Sequence, residues 1–411
     1  MVVNEQKTLL SDPARIREQF PIFGEHPELV YLDNAATTQR PAAVIETLNR
    51  FHRQENASIR RGVYHLSALA TKSFAAVRNK VAQFFQAPNE ISIAFTSGTT
   101  ESVNVVARSI IGPKVKAGDN IVVSLMEHHA NFIPWQMICQ EKEAELRIIP
   151  LTEQGELQLD KLEDLIDERT ACLAIVHISN TLGTINPVEE VVRMAHQKNV
   201  PVLVDAAQSA ALYSTNLTEL DCDYWVASGH KMFGPFGVGI LYVHPRFQGQ
   251  VQPYSYGGGI IRSVTSEQTD FLPFPYNLES GTPNVSGVIG LGAAIDFLKT
   301  LDRQHLVSNL HELTQYAREQ LLAIPGLSIF GQPSQVSSLL SFSMEGMHPH
   351  DIATFLNDDQ VAVRAGQHCT QPLLDHFGLP ATVRASFSIY NTKEDVNSLT
   401  ESLKSMKSLW A

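Results

Sequence analysis

Between residues 32 and 243 the chain alternates short apolar runs with longer amphipathic stretches, and few architectures accept that rhythm. Segments 91–96, 120–124, 172–178, 201–204, 224–227 and 238–243 have the length and apolar content of buried strands. Segments 132–143 and 188–198 between them carry helical periodicity. Strands that alternate with helices predict an α/β fold around a mostly parallel, doubly wound sheet. A glycine- and proline-rich stretch, 254–283, breaks the rhythm and reads as long loops, and a helical pattern over 285–301 follows it. We expect a large domain over 26–298, a smaller α+β domain over 299–411, and an N-terminal segment, 1–25, that packs with the smaller one.

With 411 residues, 44% of them apolar, the chain can bury a large core. The 31 basic residues against 43 acidic ones give a net charge of −12, which argues against a nucleic-acid or anionic-membrane surface. Any anionic ligand must therefore be held by local donors. Residues 1–20 are polar and carry no apolar signal core, and no apolar run approaches the roughly 18 residues of a membrane span. A cytoplasmic location is the default expectation. The four cysteines, Cys139, Cys172, Cys222 and Cys369, lack CxxC spacing, so neither a disulfide framework nor a zinc site is expected.

Three segments carry chemistry. Phe95-Thr-Ser-Gly-Thr-Thr-Glu101 follows a strand and precedes a helical pattern, and its free N–H groups and hydroxyls suit a phosphate, although a plain helix cap uses the same residues. In Val202-Leu-Val-Asp-Ala-Ala-Gln208, Asp205 closes a strand, where doubly wound sheets bind ligands. Its carboxylate can pair with a cationic ring nitrogen within reach of Gln208, or simply cap the next helix. The third segment, 227–239, packs Ser228, His230 and Lys231 into a glycine-rich loop. A lysine of lowered pKa forms Schiff bases with aldehydes, and the small apolar neighbours of Lys231 fit a solvated surface lysine poorly. A phosphate turn, a strand-end aspartate and, 26 residues on, a loop lysine are together the equipment of a pyridoxal 5′-phosphate (PLP) site.

Further segments extend the pattern: Tyr31-Leu-Asp-Asn-Ala-Ala-Thr-Thr38, Glu127-His-His-Ala-Asn131, His177-Ile-Ser-Asn-Thr-Leu-Gly183, Glu279-Ser-Gly-Thr-Pro-Asn284, Val363-Arg-Ala-Gly-Gln-His-Cys369 and Arg384-Ala-Ser-Phe-Ser-Ile-Tyr-Asn391. With these the sequence resembles the class V aminotransferase family, and within it the cysteine desulfurases of the SufS/CsdA group. The resemblance implies an aspartate-aminotransferase-like large domain and a homodimer. It implies that Lys231 forms the Schiff base with PLP, that Asp205 faces the pyridinium nitrogen and Gln208 the phenolic oxygen, and that Asn180 touches cofactor and substrate. His128 would stack on the ring and move protons. Thr99, Thr100, Ser228 and His230 would hold the phosphate, with Thr282 reaching the phosphate of the other subunit.

By the same resemblance Arg384, and less strongly Arg364, would clamp the substrate carboxylate, which a guanidinium fork matches bidentately. An inter-domain salt bridge is the alternative for Arg364. Cys369 sits among small polar residues near an arginine and a histidine, and cationic neighbours favour the nucleophilic thiolate. Cys139, Cys172 and Cys222 read as packing. The implied activity is a cysteine desulfurase (a sulfurtransferase) that converts L-cysteine to L-alanine, stores sulfur as a persulfide on Cys369 and passes it to an acceptor protein of the SufE/CsdE kind, as in iron–sulfur cluster assembly. Selenocysteine lyase activity is a further expectation. The rivals are another class V enzyme and a non-catalytic sulfur carrier. One segment departs from the family pattern: Arg60 stands where relatives often carry histidine, and Tyr64 where many have another histidine.

Overall fold

The computed structural model describes residues 10–410, so the expectations for residues 1–9 lie outside the described residues. The large sheet has seven strands. They run in the spatial order Ile93–Thr96, Gly239–Val243, Tyr224–Ser228, Val202–Asp205, Thr170–Val176, Asn120–Ser124 and Glu145–Ile149. Four pairings are parallel; Gly239–Val243 alone runs against its neighbours. Alternate side chains go to opposite faces. Leu173, Ile175, Val202, Val204 and Trp225 pack into one core, and Ile121, Val123, Ala174, Leu203 and Val226 into the other. A sheet buried on both faces needs such unbroken apolar strands, which is why most of them are legible in the sequence. Glu145–Ile149 at the sheet edge was not. Glu145 and Ile148 are exposed, and a polar edge strand lacks the apolar signature.

The helices Thr99–Val106, His129–Lys142 and Val188–Gln197 cross over between strands. The loop-rich stretch holds one short hairpin, Ile261–Val264 with Thr269–Phe271. Helix Val285–Leu298 packs on helices Ala42–Arg50 and His65–Phe84, and Lys299 caps it.

A second, antiparallel sheet is built from Leu327–Phe330, Leu339–Met344, Thr382–Ser386 and Arg364–Gly366, in that order. The N-terminal chain is stitched to this second half. Val30–Tyr31 pairs with Val361–Ala362, Asp33 bridges Ser386, and Arg17 faces Asp395 at 3.7 Å. That stitching carries Asp33 to the arginines of the second sheet. Among the described residues no helix is long and apolar enough to cross a membrane.

Candidate active site

The parallel strands deliver their C-terminal ends to one edge of the sheet, where open α/β sheets bind ligands. Asn120–Ser124 leads to Glu127 and His128, Thr170–Val176 to Asn180, Val202–Asp205 ends on Asp205, and Tyr224–Ser228 leads to Lys231. The second sheet closes over this edge with Arg364, Cys369 and Arg384. The result is a cleft of about 320 Å³ whose lining holds every candidate residue named from the sequence except Thr282. Thr282 is exposed and lies outside this cleft.

Asp205 is buried, and its carboxylate accepts one hydrogen bond, from the Ala207 N–H at 2.9 Å. Burial raises its pKa, and the nearby Lys231 ammonium works against that rise. A buried carboxylate so sparsely satisfied is costly unless a cation joins it. Burial also lowers the Lys231 amine to about 8, which Asp205 opposes and Arg384 reinforces. A lysine tuned to that value has a substantial neutral, nucleophilic fraction near neutral pH.

His128 caps the helix His129–Lys142: its Nδ1 accepts from the Ala130 N–H at 3.0 Å. The tautomer that follows carries its proton on Nε2. Burial, and then Lys231, holds the ring neutral with a pKa of about 3. A neutral ring of this tautomer can stack and can donate a hydrogen bond through Nε2.

The phosphate-turn residues come together as expected. The Ser228 Oγ lies 2.8 Å from both the Thr99 N–H and the Thr99 Oγ1, fastening the turn to the lysine loop. His230 stacks on Phe236, is held neutral near pKa 4 by burial, and has a buried Nδ1 without a partner. Gln208 Nε2 donates to the Ala35 carbonyl at 2.8 Å. Asn180 donates to the His368 carbonyl at 2.8 Å while its Oδ1 stays buried and unpartnered.

PLP fits this set on four observations. A buried carboxylate suits its ring nitrogen, an amine of lowered pKa its aldehyde, and a Thr/Ser/His turn its phosphate. The buried unpartnered atoms Asn180 Oδ1, His230 Nδ1 and Arg384 Nε would otherwise go unsatisfied.

Sequence reasoning missed Asp33. Its carboxylate takes two guanidinium groups, from Arg364 at 2.8 Å and Arg384 at 3.3 Å. Arg364 thus lines the cleft and also joins the two halves of the chain through Asp33. Arg384 also donates to the Asn180 carbonyl at 2.7 Å and remains a cation, its pKa lowered by burial to about 10. Asp33 is 351 residues from Arg384 in sequence, and no local signal announces such a pair.

Cys369 is the exposed cysteine of the four. Burial pushes the Cys139 thiol up to about 11, and raises Cys172 and Cys222 too, so these three are packing as expected. Cys369 interacts with the cations Arg364, Arg384 and Lys231. Its neighbour His368 is pushed down to about 3 by burial and Arg384, and is neutral. Arg60 is also located. It ion-pairs with the buried Glu279, which holds the buried Arg78 as well, and so ties the 58–62 segment to the loop that carries Thr282.

The aminotransferase class-V family model matches residues 30–399. A probable cysteine desulfurase of Halalkalibacterium halodurans is 42% identical over 395 residues, covering 95% of this chain and 97% of that protein. A cysteine desulfurase of Escherichia coli is 42% identical over 394 residues with the same coverage. Among solved structures, the cysteine desulfurase CsdA of Escherichia coli, in an S-sulfonic acid form, superposes with a TM-score of 0.91 at 38% identity, over 97% of this chain and 99% of that one.

Proposed function

The chain belongs to the class V aminotransferase family, and from that premise we propose that it is a PLP-dependent cysteine desulfurase acting on L-cysteine through Cys369. The observation that carries this reading is the exposed Cys369 thiol on the rim of the cleft that holds Lys231 and Asp205.

When bound, PLP supplies an aldehyde carbon that captures amines and a ring that takes up the electron pair left when Cα loses its proton. The residues of this chain do the rest. Lys231 would hold the aldehyde carbon, Asp205 the ring nitrogen, Gln208 the phenolic oxygen, His128 the ring face, and Thr99, Thr100, Ser228 and His230 the phosphate. Asp205 would keep the ring nitrogen protonated, because a carboxylate beside a titrating cation favours the charged form. Arg384, supported by Asn180 and Arg364, receives the substrate carboxylate. The Lys231 amine would move the Cα proton.

Cys369 then attacks the substrate sulfur. The Sγ–S bond forms as the Cβ–S bond breaks, and the electron pair of the broken bond ends in a C–H bond of L-alanine. One thiol is oxidised to a persulfide and Cβ is reduced, so no external oxidant is needed. An exposed Cys369 can pass its outer sulfur to the thiol of a SufE/CsdE-like acceptor protein. A homodimer is proposed on two grounds. Val63, Tyr64, Leu66 and Leu69 form an exposed apolar stretch, and Thr282 is exposed and outside its own cleft. Selenocysteine fits the same cleft as a second substrate.

The test is stoichiometric release of L-alanine and sulfide from L-cysteine with a thiol reductant. The Cys369→Ser variant should lose both with L-cysteine while retaining C–Se cleavage, which needs no thiol. Wild-type alanine release in Cys369→Ser would sink the assignment.

A further inference from the structure

Cys369 is presented by a turn that its own sequence does not favour. His368 and Cys369 have φ of +51° and +56°, two consecutive side-chain-bearing residues in the left-handed region. Such residues each cost on the order of 1–3 kcal/mol and persist where the surroundings dictate them. The flanking side chains are buried and tied down: His368 Nε2 to Thr382 Oγ1 at 2.9 Å, and Thr370 Oγ1 to Thr181 Oγ1 at 2.8 Å.

The backbone on either side of the thiol is held from elsewhere. The His129 N–H donates to the Cys369 carbonyl at 2.7 Å, and the Gln371 N–H donates to His129 Nε2 at 3.1 Å. One residue thus grips the chain immediately before and after residue 370. The second grip also caps the helix Gln371–His376, whose N-cap residue Thr370 makes no side-chain cap bond of its own. Because Nε2 accepts, the ring must be neutral with its proton on Nδ1, and partial burial lowers the His129 pKa in the same sense.

We propose that His129 is the positioning residue for the nucleophile: its backbone and Nε2 clamp the 369–371 turn, so that the residue next to the ring-facing His128 sets where the Cys369 thiol stands. This rests on the desulfurase reading. The dipeptide His128-His129 has one ring lining the cofactor cleft and the other holding the sulfur-accepting loop. A shift of the loop by one ångström is enough to lower a rate about 100-fold, and His129 prevents that shift without touching the cofactor.

The experiment uses the holoenzyme and two variants, His129→Ala and His129→Gln, the latter placing an acceptor oxygen at the distance of Nε2. Persulfide formation on Cys369 from L-cysteine is followed by mass spectrometry in a single turnover. Exchange of the Gln371 amide with solvent deuterium is followed without substrate. His129→Ala should form persulfide at least tenfold more slowly and exchange the Gln371 amide at least tenfold faster, with PLP affinity unchanged, and His129→Gln should restore both. Wild-type persulfide formation in His129→Ala, or its failure to recover in His129→Gln while the Gln371 amide is protected, overturns the assignment. A wild-type protein that forms no Cys369 persulfide overturns the desulfurase reading itself, a distinct result.

Discussion

Lys231 and Asp205 show how burial sets the chemistry of single residues. Each is moved away from its charged form by desolvation, and each is partly restored by the other. Neither is satisfied by the protein alone, so PLP, which brings a cation for one and an electrophile for the other, relieves both. The capture of PLP by cofactor-free protein needs the neutral Lys231 amine. With the amine at about 8, the neutral fraction grows tenfold per unit below that value and saturates above it. The second-order rate of appearance of the visible absorbance band should therefore rise with pH up to about 8 and then level. A rate still climbing in proportion at pH 10, as for an unperturbed lysine, would contradict the tuning. Lys231→Ala should show no such band at any pH.

At the level of elements, the cleft depends on how strand ends are tied, and Glu127 ties two of them to a helix. Its buried carboxyl accepts from Ser124 Oγ on one strand at 2.5 Å, from the Val176 N–H on the next at 2.8 Å, and from Asn131 Nδ2 at 2.6 Å on the helix that His128 caps. Burial outweighs these donors and raises the Glu127 pKa from 4.5 to about 8. A folded-state pKa above the unfolded one means that the folded protein binds the extra proton. Its contribution to stability is complete below about pH 4.5 and is lost as pH rises to about 8, at up to about 1.4 kcal/mol per unit. Glu127→Gln, which cannot ionise, should hold its unfolding midpoint better than the wild type between pH 6 and pH 8, as thermal unfolding at both values will record; parallel losses in the two proteins would refute it. Glu127 lay inside a segment that was recognised, Glu127-His-His-Ala-Asn131, yet its task was not legible, because Val176 is 49 residues away. Larger separations, 351 residues for Asp33 and Arg384 and 219 for Glu279 and Arg60, hid those two. What could be read were features with local signatures: apolar strands buried on both faces, a turn of hydroxyls before a helix, a lysine in a glycine-rich loop. Polar pairs made across the fold leave no periodic trace, and the edge strand Glu145–Ile149 vanished for a related reason, since only Ile149 of its five residues is fully buried.

At the scale of the whole molecule the open question is whether one chain makes a complete site. The protein carries a net charge of −12, so a phosphate is held only where enough local donors converge. Thr99, Thr100, Ser228 and His230 line the cleft, whereas Thr282 stands exposed on a loop fixed by the Arg60–Glu279–Arg78 cluster. A loop tied in that way, with Thr282 exposed and outside the chain's own cleft, suits a neighbour's phosphate. Subunit mixing tests this directly. Thr282→Val should weaken PLP binding about 10- to 100-fold through one lost hydrogen bond to a charged group, and Lys231→Ala should be inactive. If Thr282 serves the partner, a heterodimer of the two variants has one doubly damaged site and one intact site, with Lys231 from one chain and Thr282 from the other. Equal mixing with free exchange makes half the dimers mixed, so about a quarter of wild-type sites should be regained at limiting PLP. If Thr282 serves its own cleft, every site in the mixture keeps one lesion and activity stays at the average of the two parents. Recovery of desulfurase activity on mixing therefore requires a site shared between subunits, and its absence, with subunit exchange verified by mass, overturns the assignment of Thr282 to the neighbour's site.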